Sequence, residues 1–255
     1  MNGSTLTLGL VGALAAAGAL GRRGSRDALR ATSDTVLLLP ETDAGLPAVV
    51  IVDAAKASRV KSADHLSEFR SCVLGFIRLS YPHDAMERIT VACDQTRPDG
   101  DSSGPLEVYN SAARKGWGPL TYDAALWTAL DLADHSEQFN GYLVPDRNNV
   151  SFAAKKVWSH YLTQRKADVT SRKVVKTCPK HGYPKDDPVL DRMYKMKRGT
   201  AAYEQISDAY ARGVRLLSDL EDAGLKSADG RDVMDREDLE QAFLLAGEAL
   251  FGEHF

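Results

Sequence analysis

The residues best able to do chemistry stand together in one short stretch, Ala113-Arg114-Lys115-Gly116-Trp117-Gly118-Pro119. Before it, residues 106–111 (LEVYNS) have the two-residue alternation of a strand. After it, residues 119–135 (PLTYDAALWTALDLADH) put Leu120, Ala124, Trp127, Leu130 and Ala133 on related faces at helical spacing. The stretch therefore predicts a strand, a Gly-x-Gly turn and a helix. Pro119 suits the first helical position, where an N–H would have no intrahelical acceptor. The other unpaired N–H groups of a first turn, with the helix dipole behind them, attract anions. Gly116 and Gly118 let the backbone approach a phosphate closely, and Arg114 and Lys115 add positive charge. This combination suits a pyrophosphate. The same glycines also make an ordinary tight turn, so the motif alone leaves both readings open.

The surrounding elements must hold that turn in place. Residues 35–40 (TVLLLP), 46–53 (LPAVVIVD), 72–80 (CVLGFIRLS) and 88–94 (RITVACD) read as strands, with a turn at 41–45, a helical stretch within 54–69 and a loop at 96–105 (TRPDGDSSGP). Strands in close succession predict an antiparallel meander. Residues 141–144 form a further short strand, and Ser151 is placed to cap a helix over 152–165 that carries Val157, Trp158, Tyr161 and Leu162. Residues 167–200 are basic and contain proline, with one helical snippet at 189–196. Two amphipathic helices follow. One spans 200–223, with Tyr203, Ile206, Tyr210, Val214 and Leu217 in its stripe and Gly224 at its end. The other spans 235–250, with Leu239, Phe243, Leu244 and Leu250. Their stripes need a partner surface, either each other or a neighbouring chain.

The fold class is thus α/β in the α+β sense. It comprises an apolar N-terminal segment and basic linker (1–34), a mixed domain (35–199) and a helical C-terminal extension (200–255). A chain of 255 residues with 44% hydrophobic and 26% charged residues is not a disordered one. The net charge of −3 gives no global basic field, so no specific nucleic acid is expected as a partner. Three cysteines without close spacing and six histidines without ligand spacing point to neither a disulfide framework nor a metal site; Cys178-Pro179-Lys180-His181 is too isolated to be half of one. The run from Lys155 and Lys156 through Arg165, Lys166, Arg172, Lys173, Lys176 and Lys180 to Lys185 reads as a solvated face or as a contact for an anion. Residues 5–20 (TLTLGLVGALAAAGAL) carry no charge, and Arg22, Arg23 and Arg26 follow. The run is shorter than the roughly 20 residues a spanning helix needs, and it lacks the basic start of a signal peptide. It reads as a marginal membrane helix, as a helix buried against a partner, or as an apolar end sequestered until needed.

Meander strands, a central strand, a Gly-x-Gly turn, a helix, a strand and a second helix make an order that resembles GNAT-type N-acetyltransferases. The runs Gly116-Trp117-Gly118-Pro119-Leu120-Thr121-Tyr122-Asp123, Val144-Pro145-Asp146-Arg147, Val150-Ser151 and Val157-Trp158-x-x-Tyr161 are similar to those of GNAT-like proteins encoded by tailed bacteriophages. The resemblance covers about residues 70–196. It implies a mostly antiparallel mixed sheet flanked by helices, and acetyl-CoA or another acyl-CoA as substrate. Its Gln/Arg-x-x-Gly-x-Gly/Ala signature would hold the CoA pyrophosphate, here on Arg114, Lys115, Gly116, Trp117 and Gly118. The Gln/Arg position itself is Ala113, with Arg114 one place later. An amine would attack the thioester directly. Glu107, or Asp94, would take the ammonium proton, and Tyr161, which competes with Trp158 for the place, would protonate the leaving thiolate. Asp146 and Arg147 would pin a loop or line the acceptor pocket. The alternative is a non-catalytic phage structural or virion-associated protein on the same scaffold. Its apolar N-terminus and C-terminal helices would make membrane or assembly contacts with virion partners or with further copies of the chain. The locations implied are the bacterial host cytoplasm or the phage particle, with membrane association through residues 5–20. The identity of the amine acceptor is not written in the sequence.

Overall fold

The structure, a computed structural model, describes residues 34–43, 45–61, 66–81, 104–145, 150–173, 187–227 and 232–252. The N-terminal apolar run, the strand expected at 88–94 with Asp94 and Cys93, the Asp146-Arg147 pair and Cys178 to His181 lie outside the described residues. Seven strands form one sheet: β1 (Thr35–Leu38), β2 (Ala48–Asp53), β3 (Val73–Ser80), β4 (Gly104–Ala113), β5 (Phe139–Pro145), β6 (Val169–Lys173) and β7 (Arg192–Met196). Their order is β1-β2-β3-β4-β5-β7-β6. The described helices are α1 (Ala54–Ala57), α2 (Leu66–Cys72), α3 (Gly118–His135), α4 (Phe152–Thr163), α5 (Ala201–Asp222) and α6 (Arg236–Gly252).

Adjacent strands run antiparallel except β4 and β5, which are parallel. The exception follows from the chain path, since a parallel neighbour needs a crossover and α3 supplies it. The mixed, mostly antiparallel sheet with flanking helices is the α+β architecture expected from the sequence.

Alternation along the strands sorts apolar side chains into two cores. Val49 and Ile51 of β2 and Ile77 and Leu79 of β3 join α3, α4 and the first half of α5 on one face. Val50 and Val52 of β2 and Phe76 of β3 join α1, α2, α6 and the second half of α5 on the other. The long α5 passes from one core to the other across β1. There a side chain at Gly213 would collide with the Leu37 carbonyl, and Arg212 Nη2 donates to Thr35 O at 2.9 Å. The surface that the C-terminal stripes need is therefore the chain's own sheet. Leu239 and Phe243 are fully buried, with Phe243 edge-on to Phe69 at 5.0 Å between centroids. Burying a side chain of that size contributes about 1.5–3 kcal/mol.

One expected element differs in type. The helical snippet at 189–196 is instead a turn running into β7, paired with β6 in an antiparallel hairpin. Tyr194 and Met196 point inward with Lys195 between them on the other face, a period of two that the basic composition hides. Cys72, expected in a strand, is the last residue of α2. It is buried there with Sγ toward Glu68 O at 3.2 Å, and burial raises its thiol pKa. No helix among the described residues is long and apolar enough to cross a membrane.

Candidate functional site

The parallel pair parts company halfway along β4. Leu106 lies beside Leu143, Glu107 beside Val144 and Val108 beside Pro145, where β5 ends. β4 continues to Ala113 paired with β3, and among the described residues no strand pairs with its other edge along that length. On the β3 side, Leu79 faces Val108 and Arg78 faces Asn110, which leaves Tyr109 as the extra residue of a β-bulge. The bulge inverts the strand's phase. Leu106 and Val108 point into the core beneath α3, whereas Ala112 points into the opposite core. Ser111 takes over the α3 side and shares a 2.9 Å hydrogen bond with the Tyr122 hydroxyl.

The turn after β4 is tied at both ends. Arg114 N donates to Leu74 O at 2.9 Å, and Trp117 N donates to Arg114 O at 3.0 Å. Gly116 has φ of 90°, a conformation that L side chains rarely adopt. Trp117 occupies the N-cap position without contributing a side-chain bond, and the first helical N–H taken up is that of Thr121, by Trp117 O at 3.0 Å. The donors ahead of Thr121 thus open a short anion-binding face. Gly75 sets the height of this turn over the sheet, because any side chain there would collide with Thr121. At Gly118 the direction a side chain would take is empty to 4 Å. Lys115 and Gly116 are exposed, and Trp117 rests half-buried on the first core.

Lys115, Gly116, Trp117 and Gly118 are therefore gathered at one place, and Glu107 lies half-buried at the level where β4 and β5 part. Arg114 joins the turn through its backbone, but its side chain is engaged elsewhere. Its Nε donates to Val73 O at 2.7 Å and its Nη2 to Arg70 O at 2.9 Å, so the guanidinium ties down the end of α2 rather than the open side of the turn.

Tyr161 is buried beneath the first turn of α3, where its hydroxyl also lies 3.4 Å from Pro119 O. It is 2% exposed, and its hydroxyl donates to Asp123 Oδ1 at 2.9 Å. Trp158 lies beside it, edge-on to Tyr122 at 5.2 Å. Asp123 is fully buried one turn below the glycines, and its Oδ2 accepts from Arg165 Nη1 at 3.2 Å. Arg165 Nε donates in turn to Asp168 Oδ2 at 2.6 Å. Burial pushes the Asp123 carboxyl up to about 6 against the restraining charge of Arg165. Burial and the neighbouring Asp123 charge hold the Tyr161 hydroxyl well above its ordinary range. Sequence reasoning missed this network. The signal was present, since Asp123 sits in the apolar stripe between Leu120 and Trp127, and Arg165 follows Tyr161 by one helical turn.

The described part of the basic run is dispersed. Lys155 Nζ pairs with Asp187 Oδ2 at 2.5 Å, Lys156 Nζ lies 4.3 Å over the Phe152 ring, and Arg172 lies 5.2 Å over Tyr142. Among the described residues no group of His, Cys, Asp and Glu is arranged to hold a metal ion. No family model, curated protein or solved structure matches the chain.

Proposed function

We propose that the chain binds an acyl-CoA at the β4–α3 turn and transfers the acyl group to an amine, in the manner of a GNAT-type N-acyltransferase. The observation that carries this reading is the parting of the parallel pair. Among the described residues β4 runs on to Ala113 paired with β3 but no longer with β5, and ends in a glycine turn with an uncapped helix start. The pyrophosphate would sit on the N–H groups after Gly116, with Lys115 beside it. The pantetheine arm would lie along the open edge of β4, placing the thioester near Tyr109. At about 3.3 Å per residue, the edge from Ala113 to Tyr109 gives about 13 Å for an extended arm.

In the reaction, the amine nitrogen attacks the thioester carbonyl carbon, a new C–N bond forms and the C–S bond breaks. Glu107 takes the ammonium proton directly or through water, and strand N–H groups stabilise the tetrahedral oxyanion. The departing thiolate takes a proton from solvent. Tyr161 enters as a positioning residue, because its hydroxyl is spent on Asp123. The test is release of free CoA thiol from acetyl-CoA, followed with and without added amines on the full-length chain. Amine-dependent release that falls sharply in Glu107→Gln supports the reading, and equal rates without amine count against it.

A second reading, a non-catalytic phage structural protein on the same scaffold, draws on two observations. The hydroxyl of Tyr161 and the guanidinium of Arg114, the two groups expected to serve the thiolate and the phosphate, are engaged within the fold.

A further inference from the structure

Charge is divided between the two edges of the sheet. Residues 151–200, which supply α4, β6 and β7, carry thirteen Lys and Arg against four Asp. Residues 201–252, which supply α5 and α6, carry twelve Asp and Glu against five Lys and Arg. Among the described residues β6 is one edge of the sheet, and α5 packs on β1 at the other. Six interstrand spacings of about 4.8 Å set the edges about 29 Å apart. That is several times the Debye length of about 8 Å at physiological salt, so the two excesses cannot neutralise each other within one chain. The two most exposed large apolar side chains among the described residues stand one at each end. Phe152, 76% exposed, opens α4, with Lys156 Nζ 4.3 Å over its ring. Lys155 pairs with Asp187, which leads into β7 at Arg192, and Arg192 lies opposite Lys173 at the end of β6. Lys156 and Lys173 therefore share the end of the molecule that Phe152 occupies. Val233, 59% exposed, lies in the link between α5 and α6. It is bridged to Lys226, and Met234 N donates to Leu225 O at 2.7 Å, which folds the link back on the end of α5. Asp222, Asp232 and Asp235 are exposed there. A single apolar side chain in solvent is ordinary. Two that stand in charge of opposite sign make complementary surfaces, each an apolar anchor with a charged rim.

From this arrangement we infer that the chain self-associates, the basic end at Phe152 of one copy docking on the acidic end at Val233 of a second. Opposite potentials steer the encounter, and withdrawal of the two apolar side chains from water holds it. Neither end includes a residue of the β4–α3 turn, so the contact stands apart from acyl-CoA binding.

Sedimentation velocity of the full-length chain, over a concentration series at low and high sodium chloride, is the test. Reversible association is expected at low salt, weakened about tenfold or more at high salt. Lys156→Glu with Lys173→Glu reverses the basic end, and Asp222→Lys with Asp232→Lys reverses the acidic end; all four side chains are exposed. Each double variant alone should be monomeric. An equimolar mixture of the two should associate again, because each then carries the end that the other lacks. Cooperative urea denaturation checks that the variants are folded. Where a charge variant does not fold, Phe152→Ser is read in its place, with association weakened in the wild-type charge background. A wild-type chain that stays monomeric at low salt would overturn the inference and leave the basic end to an acidic partner other than this chain. Association that ignores salt, or that persists in either double variant alone, would place the contact elsewhere and overturn it as well, as would a mixture that stays monomeric.

Discussion

Two consecutive turns of α3 treat polar groups in opposite ways. In the first, the donors ahead of Thr121 have no cap, Gly118 faces empty space, and Lys115 and Gly116 stand in solvent. In the next, Asp123 is sealed in the core, and its carboxylate is engaged by Tyr161 and by Arg165, which is itself held by Asp168. Uncommitted backbone donors at the surface cost little in water and are ready for an anion. A buried carboxylate is tolerable only when paired and hydrogen-bonded. The difference separates binding from positioning. The upper turn is where a ligand would sit, and the lower turn fixes α3 against α4 so that the upper one keeps its place.

Substitutions can break this contrast from either side. The largest effect is expected from Asp123→Ala, which strands the Tyr161 hydroxyl and the inner face of Arg165. A loss of about 3 kcal/mol is expected, because removing one partner of a buried pair leaves the other unpaired, and urea denaturation would measure it. Gly118→Val is expected to leave the denaturation midpoint nearly unchanged and to lower CoA affinity about a hundredfold, equivalent to about 2.7 kcal/mol, as read by calorimetry. Tyr161→Phe removes one donor from Asp123 while Arg165 remains, so about 1–2 kcal/mol of stability should be lost with CoA affinity unchanged. Arg114→Ala loosens the end of α2 and should cost about 1 kcal/mol of stability, again with CoA affinity unchanged. If CoA affinity fell in Arg114→Ala while stability held, the division drawn between the two turns would be misplaced.

A proton acts on the same buried network. The folded chain holds the Asp123 proton more tightly than the unfolded chain, since burial raises its pKa from 3.8 to about 6. The stability linked to that proton is therefore fully present below about pH 4 and is lost as pH rises through about 6. Denaturation midpoints of the wild type, with those of Asp123→Asn subtracted, should decline across that window and level off above it.

Much of the fold was legible because local chemistry marks its boundaries. Ser151 and Thr200 cap α4 and α5 through Ala154 N and Tyr203 N, as small hydroxyl residues before apolar periodic runs do. The start of α3 was written in Gly118-Pro119, and β1 to β3 in continuous apolar runs. β6 and β7 were not legible, because their charged residues mask a period of two that only the buried Tyr194 and Met196 reveal. Of the candidate site, the glycine turn could be found from its own residues. The destinations of the Arg114 and Tyr161 side chains could not, since each partner lies about forty residues away in sequence and meets its donor only once the chain has folded. Asp123 illustrates the same limit. Its type was odd for an apolar stripe, yet its partners Tyr161 and Arg165 lie on another helix and just beyond its end.

The central claim is that the open turn at Gly116–Gly118 receives the phosphates of an acyl-CoA, and titration calorimetry of CoA into the full-length wild-type chain tests it most directly. Saturable one-to-one binding that weakens as salt is raised is the expected result, because charge and backbone donors carry it. No heat of binding at millimolar CoA, from a chain shown by its cooperative denaturation to be folded, would contradict the claim and leave the two glycines as a tight turn alone.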